Sequence, residues 1–128
     1  MADVNRGNRP LSPHISVYRP QITSMLSILH RITGVGLSLA ALLIVWWFAA
    51  AAIGADYFNF VDGVLSSWFG VLILVASLWA FWFHFFNGIR HLRWDAVVGL
   101  GIGESARSGW IAVGASVVMT IISIILAV

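Results

Sequence analysis

The sequence predicts an all-α membrane protein, a bundle of three transmembrane helices, and three observations carry that reading. Of 128 residues, 60% are hydrophobic and only 9% charged, a balance outside the range of water-soluble domains. Three stretches hold no Asp, Glu, Lys, Arg or His: Ile32 to Ala55, Gly63 to Phe83 and Ser108 to Val128, of 24, 21 and 21 residues. Each can cross ~30 Å of hydrocarbon as a helix rising ~1.5 Å per residue. Lipid cannot hydrogen-bond a bare backbone, so only helices or closed barrels span it, and these runs lack the alternation of barrel strands.

Residues 1–22 form the first element, an extended arm on the inner membrane surface. Positions 9 to 20 read Arg-Pro-Leu-Ser-Pro-His-Ile-Ser-Val-Tyr-Arg-Pro, and their three prolines forbid one regular helix. Ile15 and Val17 alternate with Ser16 and Tyr18, which suits a strand-like stretch docked on another protein. An ordered arm packed on the bundle itself is the plainer alternative.

The transmembrane domain then runs over 23–128, with helices at about 24–54, 63–91 and 106–128. Thr23 or Ser24 is placed to cap the first helix. Arg31 falls inside that helix near the membrane boundary, one turn beyond Ser27, and Gly34 and Ser38 continue a small-residue stripe on or near the same face. Such a stripe suits close approach of another helix or a ligand. The second helix ends in the aromatic block Trp79-Ala-Phe-Trp-Phe-His-Phe-Phe86, most of whose rings read as a lipid-facing interfacial belt. Three helices bury little surface by themselves, so association with further subunits is expected.

Charge gives an orientation. Arg6, Arg9, Arg19 and Arg31 precede or open the first span against Asp3 alone, and the short first loop holds only Asp56 and Asp62. The second loop carries Arg90, Arg93 and Arg107 against Asp95 and Glu104. The positive-inside rule places the N-terminus and second loop in the cytoplasm, and the first loop and C-terminus in the periplasm. Residues 1 to 21 have no apolar core of secretory-signal length and are too poor in Arg and Ser for a transit peptide, so a bacterial inner membrane is the simplest location. The net charge of +2 comes from arginines clustered at membrane boundaries, which points to the lipid bilayer and excludes nucleic acid as a partner. With no cysteine, the chain forms no disulfide, thioether haem link or iron–sulfur cluster of its own.

Chemistry concentrates at His84-Phe-Phe-Asn-Gly-Ile-Arg-His91-Leu-Arg-Trp-Asp95. If Arg90 marks the headgroup level, six residues put His84 about 9 Å deeper, a costly position for an imidazole. A neutral imidazole is a strong ligand for haem iron, and histidines on facing helices hold b-type haems in bundles. Gly88, one turn on, removes bulk where a flat macrocycle needs room, while His30, Arg31, Arg90 and His91 supply cations for propionates. The alternative is a histidine satisfied by a structural hydrogen bond. His84 and His91 lie about 10.5 Å apart along one helix face, so they cannot flank one iron. His30 belongs nearer the boundary than His84, so the opposite axial ligand is expected from another subunit. Ser27 and Arg31 form a second constellation: a hydroxyl and a guanidinium that can hydrogen-bond a quinone carbonyl and stabilise its developing charge. Against it stands snorkelling of Arg31 to lipid phosphate, with Ser27 bonded back to its own helix.

Three motifs, Arg9-Pro-Leu-Ser-Pro-His14, Ser27-Ile-Leu-His-Arg-Ile-Thr-Gly34 and His84 to Asp95, in this order around three spans, closely resemble the cytochrome b556 membrane-anchor family of succinate dehydrogenase (complex II). The resemblance covers nearly the whole chain, and Trp94 before Asp95 is similar to its alphaproteobacterial and mitochondrial branch. It implies that His84 is an axial ligand of haem b, with the other ligand from a second small membrane subunit. It implies that Ser27 and Arg31 contribute to the ubiquinone site, and that His30, Arg31 and His91 face haem propionates. An iron–sulfur subunit and a flavoprotein subunit oxidising succinate would complete the complex, with the proline-rich arm near the former. No succinate chemistry, and so no catalytic residue, belongs to this chain. A fumarate reductase anchor running on menaquinol, or a haem-free structural anchor, are the competing readings.

Overall fold

The computed structural model describes residues 19–127, which form four helices: α1 (Ile22–Ile53), α2 (Ala55–Leu65), α3 (Trp68–Asp95) and α4 (Ile102–Ala127). The strand-like reading of Ile15 and Val17, and most of the arm, lies outside the described residues. Three of the helices, α1, α3 and α4, are long and apolar enough to cross a membrane. The chain is thus a multi-pass membrane protein with an all-helical fold.

Helix α1 has 32 residues, ~48 Å at the helical rise, so it outruns ~30 Å of hydrocarbon and must tilt or project from it. Its N-cap is Gln21, without a side-chain cap bond, and the first helical bond runs from Met25 N–H to the Gln21 carbonyl. Thr23 and Ser24, the expected caps, lie inside the helix. Pro20 explains the shift: a proline is tolerated just ahead of the first turn, so helix follows it directly.

The first loop is not a loop. At Gly54, φ is 150°, a region closed to side chains, and the chain turns there into α2, an 11-residue helix folded back on α1. Trp46 Nε1–H donates to the Tyr57 hydroxyl at 3.0 Å and Trp47 Nε1–H to Asp62 Oδ1 at 3.1 Å, while Val61 is fully buried. The charged pair Asp56 and Asp62 concealed a helix whose Phe58, Val61 and Leu65 share one face. In consequence the second spanning helix starts at Trp68 rather than Gly63, capped by Ser67, whose hydroxyl accepts from Gly70 N–H at 3.2 Å. It also extends to Asp95, and the third starts at Ile102, leaving a six-residue turn in which Trp94 Nε1–H donates to the Gly99 carbonyl at 3.1 Å.

Packing is closest between α3 and α4. Gly109, Ala112, Ser116 and Thr120 are buried along one side of α4, and Phe83, Asn87 and Arg90 along the facing side of α3. Trp82 Nε1–H adds a bond to Ser123 Oγ at 3.0 Å. A Cβ at Gly109 would lie 2.6 Å from Leu26 Cδ1, so this glycine lets α1 approach as well. Large apolar side chains such as Leu39, Leu42, Phe81, Phe85 and Ile121 point outward, as lipid or a partner subunit requires.

Candidate functional site

The N-terminal part of α1 and the C-terminal part of α3 meet at the arginine-rich end of the bundle. Gly34 permits the approach: its Cβ would sit 3.1 Å from His84 Cε1. His84 is held on α1 by three contacts. Its Nδ1 lies 3.1 Å from the His30 carbonyl oxygen and 3.3 Å from Thr33 Oγ1, and its ring stacks on that of His30 with centroids 3.8 Å apart and planes 16° apart. A carbonyl oxygen only accepts, so the hydrogen bond to it requires the proton on Nδ1. The lone pair of the neutral ring is then on Nε2, which makes no hydrogen bond to any described residue.

That is the tautomer a metal-binding histidine needs, with its second nitrogen anchored to a backbone carbonyl. The donor set therefore fits a haem iron at Nε2. The described residues hold no group of three His, Asp or Glu placed to bind an ion. His30 cannot sit on the opposite side of the same iron, because its ring is stacked against His84 face to face. It is this stacking that disqualifies it. His91 lies 5.0 Å from His30, ring to ring, so the three imidazoles form a run along the α1–α3 seam. His30 Nδ1 is buried without a hydrogen-bond partner among the described residues, a polar atom left for a group from outside.

The motif from His84 to Asp95 divides between two faces of α3. His84, Gly88 and His91 follow one another at four and three residues and look toward α1; a Cβ at Gly88 would meet nothing within 4 Å. Phe83, Asn87, Arg90 and Trp94 follow the same rule on the other side. Arg90, only 5% exposed, donates from Nε to Ser108 Oγ at 3.1 Å, from Nη2 to the Ser105 carbonyl at 2.9 Å and from Nη1 to Asn87 Oδ1 at 3.4 Å, and lies 4.2 Å over the Trp94 ring. It is therefore a clamp between α3 and α4, its donors engaged within the chain, which corrects the expectation that it is a cation free for propionates. Measured from the end of α3 at Asp95, His84 is ~16 Å inward along the axis.

Ser27 and Arg31 stand one turn apart on α1, Ser27 half-buried and Arg31 exposed, with Arg31 in no ion pair among the described residues. Ser38, further along the stripe, returns its hydroxyl to the Gly34 carbonyl at 3.1 Å. Two apolar clefts of about 550 and 450 Å³ open between α1 and α3 nearer the acidic end and the middle of the bundle, sharing Ile44 and Leu74. Neither is lined by a histidine; His30, His84 and His91 lie outside both, each half-buried. Thr33 was not legible in the sequence, because its contact with His84 spans 51 positions; only its place one helical turn after His30 hinted at that face.

A membrane-spanning helical bundle with a half-buried histidine held between two of its helices defines the class, an integral membrane protein. Residues 5–123 match the model of the succinate dehydrogenase/fumarate reductase transmembrane subunit, and the chain belongs to that family. It is 46% identical over 125 residues to the succinate dehydrogenase cytochrome b556 subunit of Paracoccus denitrificans, covering 98% of this chain and 96% of the relative. The same-named subunit of Rickettsia bellii is 40% identical over 114 residues, 89% of each chain. A cytochrome b560 subunit from Marchantia polymorpha is 32% identical over 123 residues, covering 92% and 90%. The chain is accordingly a membrane anchor of this enzyme family.

Proposed function

We propose that this chain anchors a succinate:ubiquinone oxidoreductase in the membrane, holds one side of a b-type haem through His84 Nε2, and forms part of the ubiquinone-reduction site with Ser27 and Arg31. The observation that carries it is the bond from His84 Nδ1–H to the His30 carbonyl, which leaves the lone pair of Nε2 without a hydrogen-bond partner among the described residues. Bound there, the haem would supply a one-electron reservoir beside the quinone pocket. A second small anchor subunit supplies the opposite axial ligand, since no second described imidazole can reach around one iron. The relatives' cytochrome names support the haem, and their succinate dehydrogenase names favour succinate oxidation over fumarate reduction. Iron–sulfur and flavoprotein subunits are the remaining partners.

Within this reading each residue has a defined task. His84 ligates; the cationic or donor groups of His30, Arg31 and His91 meet the propionates at the arginine-rich end. Arg31, exposed and unpaired with any described carboxylate, donates to a quinone carbonyl and Ser27 fixes the ring's orientation from one turn away. The positive charge at that end supports a bacterial inner-membrane location with the N-terminus cytoplasmic and the C-terminus periplasmic. The test is the spectrum of the purified complex: His84→Ala or His84→Leu abolishes or shifts the haem bands, and an unchanged spectrum rejects His84 as ligand.

A further inference from the structure

Thr33 stands outside every role assigned so far, yet its hydroxyl is buried against the imidazole that matters most. The residue is 4% exposed, inside a helix, with two polar neighbours: the His30 carbonyl at 2.9 Å and His84 Nδ1 at 3.3 Å. A hydroxyl has one hydrogen and two lone pairs. Bonding back to the carbonyl three residues earlier commits the hydrogen to His30, so the oxygen can meet Nδ1 only as an acceptor. The His84 N–H is thereby shared between two oxygens, the His30 carbonyl and Thr33 Oγ1. Gly34, the next residue, leaves room for the ring edge, and the His30 ring covers its face.

We propose that Thr33 is a positioning residue for the haem ligand, holding His84 in the Nδ1-protonated tautomer and raising the electron-donating power of Nε2. The inference rests on the haem reading given above. The direction of the effect follows from elementary chemistry. Coordination to ferric iron makes the distal N–H a stronger donor than coordination to ferrous iron does, because the ferric ion withdraws more charge. Acceptors at Nδ1–H therefore stabilise the oxidised haem more than the reduced haem. Taking one acceptor away favours the reduced form.

The experiment uses the assembled complex in detergent. Thr33→Val keeps the β-branched shape and deletes the oxygen; Thr33→Ser keeps the oxygen. At a fixed ambient potential near the wild-type midpoint, the ratio of reduced to oxidised haem in Thr33→Val rises about threefold, as expected for losing one hydrogen bond of ordinary strength from the oxidised state. The low-spin ferric resonance shifts with it, and Thr33→Ser restores both to wild type. Thr33→Ala, equally without the oxygen, replaces the valine variant if that one does not assemble. A redox titration and ferric spectrum identical to wild type in the variant lacking the hydroxyl would overturn the proposal, as would a serine variant behaving like valine. Should His84→Ala retain the native haem spectrum, the ligand assignment fails and this inference with it. A His84-dependent spectrum indifferent to Thr33 removes this inference alone.

Discussion

The imidazoles of His30 and His84 lie face to face, 3.8 Å between centroids, although 54 residues separate them in the chain. Two rings in that arrangement cannot offer their nitrogens to opposite sides of one ion. In the proposed reading the two histidines thus separate by role: His84 as ligand, His30 as the surface on which it rests and the carbonyl to which it is tied.

Replacing His30 by Ala keeps that carbonyl and deletes only the ring. The expected result is a complex whose b-type spectrum persists but whose haem is lost more readily on detergent washing, about tenfold by analogy with other groups that support a ligand. The haem-to-protein ratio through successive washes measures it. Complete loss of the six-coordinate spectrum on first isolation would give His30 the ligand's role instead.

Arg31→Leu tests the quinone wall. Quinone reductase activity should fall by about 100- to 1,000-fold, the usual consequence of losing a donor at a developing oxyanion. Succinate oxidation with a soluble dye acceptor, which bypasses the membrane site, should persist. Equal loss of both activities contradicts the role.

Arg90 gives an opposite signature. Its guanidinium joins Ser105, Ser108 and Asn87 and forms no ion pair among the described residues, so Arg90→Gln strands buried acceptors between α3 and α4. A destabilisation of about 1–3 kcal/mol is expected, read as a lower melting temperature of the complex, with the haem bands in place. Haem loss at unchanged melting temperature would return Arg90 to the propionates.

Topology is tested without any cofactor. A reporter fused after Val128 should register outside the cytoplasm, and one fused within the α3–α4 turn inside it. A cytoplasmic signal from the C-terminal fusion inverts the orientation and moves the quinone wall to the other surface.

The spanning helices were legible because lipid imposes its requirement residue by residue: a charge-free run of sufficient length needs no tertiary information. Helix α2 was not, since two aspartates in a short connection resemble a solvated loop, and its apolar face becomes meaningful only when Trp46 and Trp47 of α1 are there to receive it. The histidines were legible as residues and misjudged in arrangement. Six positions from His84 to Arg90 leave the two side chains ~120° apart around a helix, so they face different neighbours, and treating them as one patch overlooked that rotation. Thr33 belongs to neither category; its place one turn after His30 marks a face of α1 but not the imidazole 51 positions on that meets it there.

The seat that α1 makes for His84 also bears on how a complex of this kind comes together. A free imidazole surrenders about 1 kcal/mol of rotational freedom when a ligand immobilises it, and must choose between two tautomers as well. Here both choices are settled when the chain folds, before any other component arrives. In the proposed reading, what docks later would meet a rigid half-socket, and selectivity would fall on whichever second chain can present a donor atom at the matching height.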